Sequence, residues 1–223
     1  MPQIQPSATG VAVRASVLAV SVLLSANNAM AQNAALDAAS NMEARELQAA
    51  AAAAQRDAAK YYSVVFPGVV KDSRTGLQWM RCSLGQDWDE KSKTCNGNVR
   101  DYGWQAALDI ADKINRAGGY AGVTDWRLPT LRELQSLRYC ANGFHSDTVN
   151  SELKDGKDVV PYRCAGGYLS PTIAQTVFPN TGSYYWSSTI YSADPYYAWF
   201  VLFSDGQNWY FPRGYQHAVR LVR

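Results

Sequence analysis

The chain has 223 residues, 47% of them apolar, which is enough for one substantial core and too few for two full domains. Residues 1–31 carry only one charge, Arg14, so without them the 21 basic residues become 20 against 19 acidic ones, a formal charge of +1. That balance excludes a field strong enough to hold nucleic acid or an anionic membrane surface.

The amino terminus reads as an export signal. Arg14 precedes an apolar run over residues 15–24, and Ala29-Met30-Ala31 places small residues where a signal peptidase reads them, predicting a signal peptide over 1–31 with cleavage before Gln32. The run is too short to span a bilayer, and no membrane span is expected once it is removed. No cysteine stands at the cleavage point, which argues against a lipid anchor. The expected location is outside the cell or on its surface, with the periplasm as the other destination.

Over residues 32–62 the composition turns to alanine, with no Gly or Pro and with Glu, Arg, Gln and Lys between, predicting a continuous helix. Leu36, Met42 and Leu47 are too sparse for a clear heptad. The extension is therefore either a solvated spacer or an alanine-type coiled coil that joins copies of the domain behind it.

The globular part is expected over residues 63–223. Residues 63–70 read as one edge strand or lead-in broken by Pro67-Gly68, and residues 75–81 as a strand. Trp104, Ala107, Leu108, Ala111 and Ile114 form one face of a helix that Gly118-Gly119 stops. A second helix opens on a capping box between Thr130 and Glu133, with Pro129 just ahead. Its Leu131, Leu134 and Leu137 point inward, while Arg132, Glu133, Gln135 and Arg138 stay in solvent. Trp126 and Leu128 are core candidates, and Arg127 is expected to pair with a carboxylate or with backbone carbonyls. Residues 139–180 are irregular. Strands are then expected over 184–189, 197–204 and 207–211, the last two joined by a tight Asp205-Gly206 turn, with a final strand over 217–223.

Four cysteines in an exported chain imply two disulfides, for which three pairings are open. The polar loops that would otherwise lack support favour Cys82 with Cys95 and Cys140 with Cys164. A metal site is not indicated, because no Cys-x-x-Cys or nearby His spacing is present.

Four separated blocks stand out: Thr75-Gly76-Leu77-Gln78-Trp79-Met80-Arg81-Cys82, Asp125-Trp126-Arg127-Leu128-Pro129-Thr130, Tyr185-Trp186-Ser187-Ser188-Thr189 and Val219-Arg220-Leu221-Val222-Arg223. In order and spacing they resemble the Lcl C-terminal domain family, from about residue 69 to the end. The resemblance implies an α+β, C-type lectin-like fold, with two helices packed on antiparallel sheets and the chain ends close together on one sheet. Some members of that family are surface adhesins that bind sulfated glycosaminoglycans, so the resemblance also implies a binding role. It raises calcium, but Glu-Pro-Asn, Gln-Pro-Asp and Trp-Asn-Asp are absent. Neither Asp87, Asp89 and Glu90 nor Asp155 with Asp158 has the spacing of a calcium loop. No cofactor is expected.

Thirteen of the 27 aromatic residues fall within 184–215, so a ring-based binding surface is sought there. Residues 197–203 are apolar on both faces and read as a buried strand. Tyr191, Tyr196, Trp209, Tyr210 and Tyr215 lie beside turns and charges, where a half-exposed ring can stack on a sugar. Arg213, Arg220 and Arg223 fall near the same end, with Arg138 and Arg163 beside the second expected disulfide; arginine forks suit sulfates and carboxylates. The candidate ligand-binding set is Tyr191, Tyr196, Trp209, Tyr210, Arg213, Tyr215 and Arg223. Catalysis is not expected: His145 and His217 have no nucleophile at a recognisable spacing, and the cysteines are taken by bridges. The expected function is an exported, adhesin-like protein that binds glycans, sulfated or acidic ones included, or a surface protein, and that associates with itself. The competing reading is a structural subunit of a surface filament or other self-assembly.

Overall fold

The computed structural model describes residues 9–140, 142–145, 149–150, 160–161, 163–166 and 168–223. Two compact units divide between Ala50 and Ala51. The first is helix α1 (Thr9–Ala59) up to that point, continuous across the expected cleavage position. Met30, Leu36, Met42 and Leu47 are all exposed along it. Among the described residues no helix is long and apolar enough to cross a membrane.

The second unit takes in the last turns of α1. The buried Gln55 donates from Nε2 to the Ile173 carbonyl at 3.2 Å and accepts from the Gln175 amide at 3.2 Å, while Ala58 packs into the core. The globular unit thus begins upstream of residue 63, because alanine's small side chain allows a helix end to seat closely where a long polar side chain supplies the hydrogen bonds.

A three-stranded sheet follows in the order β1 (Tyr62–Phe66), β2 (Val69–Asp72), β3 (Gln78–Met80). Pro67-Gly68 is not an interruption in one strand. It is the turn of a β1–β2 hairpin, with Gly68 at φ 75°. A side chain there would also collide with the Tyr120 hydroxyl, so the position accepts glycine alone. β4 (Gln86–Asp89) and β5 (Thr94–Gly97) form a second hairpin, and the bond between Cys82 and Cys95 ties it to the end of β3.

The main sheet runs β11-β10-β9-β12-β6, with β6 (Asp101–Tyr102), β9 (Tyr184–Ile190), β10 (Tyr197–Leu202), β11 (Gln207–Pro212) and β12 (His217–Ala218). Its pairs are antiparallel except for the single parallel pair Ala218↔Tyr185. Period-two alternation splits the central strand between two cores. Trp199, Val201 and Phe203 join Leu131, Leu134 and Leu137 on one face, and Ala198 and Phe200 join Trp104, Ala107 and Ala111 on the other. Helix α2 (Trp104–Arg116) supplies the second set, and the short α3 (Leu131–Gln135) stands on the first. Both halves of the Thr130–Glu133 capping box are formed, worth about 1 kcal/mol to so short a helix. A small ribbon of β7 (Val149–Asn150) and β8 (Val160–Pro161) lies between the second pair of bonded cysteines, Cys140 and Cys164.

Three expectations need correcting. Gln135 and Arg138 are buried rather than wet, because residues 203–206 close over the end of α3: Arg138 Nη1 donates to the Gly206 carbonyl at 2.6 Å, and its guanidinium lies over the Phe144 ring at 4.7 Å. Burial pushes that guanidinium down to about 10. The β10–β11 connection is a four-residue loop, since Leu202 pairs with Gln207. Of Asp205 and Gly206 only the glycine has positive φ, at 76°, and a Cβ there would stand 2.7 Å from Cys164 Sγ. Finally, only His217–Ala218 of the last seven residues is strand.

The remainder of that tail threads between two of the sequence blocks. The Leu221 and Arg223 carbonyls accept from the Met80 and Gln78 amides at 3.1 and 2.9 Å, and Val222 exchanges both backbone hydrogen bonds with Arg127 at 2.9 and 3.0 Å. The Trp-Arg-Leu-Pro block and the terminal Val-Arg-Leu-Val-Arg block are therefore two sides of one seam.

Candidate functional site

The rings read from the sequence as one surface are divided by the sheet. Tyr210 and Phe211 are neighbours on β11, so they leave the strand on opposite faces. Tyr210 packs at the margin of the Trp199 core, and Phe211 at the margin of the Phe200 core.

Four of the seven candidates are in ring contact with one another, although Trp209, in register with Phe200, starts from the opposite side of β11 to Tyr210. Tyr191 lies parallel to Tyr210, centroids 4.0 Å apart and planes 5° off, and Trp209 is parallel to Tyr210 at 5.6 Å and 2°. Tyr197 stands edge-on to both tyrosines at 6.5 and 5.7 Å, and the exposed Tyr196 is edge-on to Tyr197 at 5.3 Å. Buried Trp199 supports the set from below, edge-on to Tyr191 at 5.7 Å and to Tyr210 at 5.2 Å. Edge-to-face and offset packing of this kind fixes ring orientation beyond what area burial does. The outcome is a rigid aromatic cluster from which Trp209, 43% exposed, and Tyr196, 61% exposed, reach solvent. Tyr197 was missed as a member because its strand context marked it as core.

The other three candidates lie elsewhere. Tyr215, 53% exposed, is edge-on to Phe211 at 4.7 Å, on the opposite face of the sheet. The Arg213 guanidinium lies over the Trp104 ring at 5.1 Å, and its carbonyl accepts from the Trp104 amide at 2.9 Å at the start of α2. Arg223 donates from Nε to Asp125 at 3.0 Å, beside the Arg127–Val222 seam. The arginines thus serve separate contacts.

Arg220 is not a surface cation. It is fully buried between Phe178 at 4.9 Å and Tyr185 at 5.6 Å, donating to the Met80 carbonyl at 3.0 Å, to the Arg81 carbonyl and to Thr181 Oγ1 at 2.8 Å. Burial holds its guanidinium below the ordinary arginine value. Arg163 is exposed.

An open cleft of ≈ 520 Å³ lies between α2 and the start of α3, lined by Leu108, Asp112, Arg127, Leu128, Thr130 and Glu133 among others. Its Arg127, Thr130 and Glu133 are already committed to one another. Arg127 grips Glu133 with two hydrogen bonds of 2.7 and 2.6 Å, and the same carboxylate caps the Thr130 amide at 2.8 Å. Burial pushes the Glu133 carboxyl up, but Arg127 and Thr130 outweigh it and hold it below the ordinary carboxylate range. Arg127 is a folding residue here.

Of the acidic candidates for calcium, Asp89 caps its own turn, accepting from the Lys91 amide at 2.9 Å and from Ser92 Oγ at 2.6 Å, and Glu90 accepts from Trp88 Nε1 at 2.7 Å and from Lys93. Asp155 and Asp158 lie outside the described residues. Among the described residues no group of three or more His, Cys, Asp or Glu could hold a metal ion.

No curated protein matches the chain. The family model of the Lcl C-terminal domain matches residues 68–223, the whole span from the β1–β2 turn to the terminal seam, and the chain belongs to that family.

Proposed function

We propose that the chain is an exported, C-type lectin-like binding protein whose ligand is a glycan, met by the cluster of Tyr191, Tyr196, Trp209 and Tyr210. The observation that carries this reading is the parallel set of Tyr191, Tyr210 and Trp209, with Trp199 packed beneath the two tyrosines and with Trp209 and Tyr196 exposed. Rigid rings present area to the C–H face of a sugar at small entropic cost, and their hydroxyls can bond its hydroxyls. Neutral sugars suit this cluster better than sulfated ones, because Arg213 and Arg223 are engaged on Trp104 and Asp125. The signal over 1–31, secretion and the absence of a cofactor belong to the same proposal. The test is capture on a glycan array by the mature protein and by its Trp209→Ala variant, with the loss of capture in the variant as the expected result.

A second reading, the subunit of a self-assembly, has its own observation. β1 is the edge of its sheet, and Val64, Val65 and Phe66 are exposed along it without an intervening charge. Such an edge is a template for another strand. Light scattering of the mature protein separates the two, since a binding domain reaches a fixed mass whereas an assembly grows with concentration.

A further inference from the structure

His217 opens β12, and its imidazole is enclosed by rings from three strands. Trp186 lies at 4.2 Å and Tyr184 at 5.3 Å from β9, Phe200 at 4.8 Å from β10, and Phe211 at 6.1 Å from β11. The residue is 7% exposed, and its Nε2 meets no hydrogen-bond partner, an unusual state for a buried polar atom. Tyr184, nearly parallel to the imidazole at 17° and 48% exposed, is the outer wall of this box. The backbone seam beneath it is thin: β12 pairs with β6 through His217↔Tyr102 and Ala218↔Asp101, and with β9 through Ala218↔Tyr185. Apart from that seam and the bond from Trp186 Nε1 to the Tyr102 carbonyl at 2.7 Å, side-chain packing in the box carries the attachment of β12 and β6 to the central strands.

We propose that His217 is an acid-sensitive latch: neutral, its ring closes the aromatic box and holds β12 and β6 on the sheet, and on taking a proton it leaves the box and frees that edge. The groups facing it offer a proton little compensation. β10 and β11 present Phe200 and Phe211, which do not titrate, and β9 presents the Tyr184 ring. β6 brings Tyr102 and the exposed Asp101, and the segment leading in brings Arg213, held on Trp104, and Tyr215, held on Phe211. Burial opposes the charged imidazole more than the Gln216 backbone and Asp101 favour it, so its proton affinity is lowered on folding.

The sign follows. The unfolded chain takes the proton first, so stability is complete above the ordinary imidazole value of about 6.5 and falls below it, by up to about tenfold in the folding constant per pH unit. Glu133 and Asp89, both held below the ordinary carboxylate range, act only in stronger acid.

The experiment is urea unfolding of the full mature chain at several values between about pH 7.5 and about pH 5, with His217→Phe and His145→Gln beside the wild type. The latch predicts a falling folding constant in the wild type and in His145→Gln, and a flat one in His217→Phe. A flat wild type, or an equal fall in His217→Phe, overturns it. Should His217→Phe fail to fold, the histidine ring resonances of the wild type decide: His217 must titrate below the ordinary value while the Ala218 and Val219 amides lose protection in acid, relative to the exchange of the unfolded chain at the same pH, and titration at or above that value overturns the latch.

Discussion

Arg220 brings a full charge into the core, where carbonyl and hydroxyl dipoles and two ring faces hold it. Desolvation works against the guanidinium, but its planar fork sets Nη1 on the Met80 and Arg81 carbonyls while Nη2 reaches Thr181 Oγ1, a spread no point charge covers. Arg220→Met keeps volume and strips the donors, leaving buried carbonyls unsatisfied. A loss of about 3 kcal/mol in urea unfolding is expected. Arg220→Lys should recover only part of it, because an ammonium cannot reproduce the fork. Full recovery by lysine would show that charge, not geometry, matters. The sequence marked this arginine as one of several near the carboxyl end and carried no sign of its burial, which is set by β3 more than a hundred residues upstream. Thr130 and Glu133 were legible for the opposite reason: a capping box is local, and both partners stand within three residues.

At the scale of elements, periodicity foretold what packs but not what covers it. The α2 face and the doubly apolar β10 could be read because their partners need only be apolar. Gln135 and Arg138 could not, since they are buried by the 203–206 loop that the fold lays over α3. The ring-rich segment read as one surface, whereas the sheet divides its rings, because density along a chain is blind to the alternation that sends Tyr210 and Phe211 to opposite faces. The disulfide from Cys140 to Cys164 spans a separation of 24 residues and joins the end of the α3 segment to the residue that Gly206 abuts. Removing it by Cys140→Ser with Cys164→Ser should cost about 3 kcal/mol. The effect should be local, with limited proteolysis cutting between positions 140 and 164 while α2 and β10 stay protected. Cleavage first in the β9–β11 region would contradict this.

For the whole molecule, the position of the unit boundary changes how the extension must be tested. Gln55 and Ala58 belong to the globular core, so truncation to residue 63 removes a docked helix end as well as the extension. Truncation to residue 51 should leave the melting temperature unchanged, and truncation to residue 63 should lower it by about 2–4 °C for each kcal/mol lost. If light scattering shows the shorter truncation converting a larger species to a monomer, the extension is an oligomerisation helix; an unchanged mass makes it a spacer. Equal melting temperatures for the two truncations would contradict the docking of Gln55.

The proposed function rests on the exposed rings, and one measurement reaches it most directly: capture of neutral and sulfated glycans by the mature protein, by Trp209→Ala with Tyr196→Ala, and by Arg213→Ala with Arg223→Ala. Capture of neutral glycans by the wild type is expected, with a clear loss in the ring variant, since the rings supply the stacking area, and nearly unchanged capture in the arginine variant. Capture of sulfated glycans alone, lost with the arginines and kept without the rings, would contradict it.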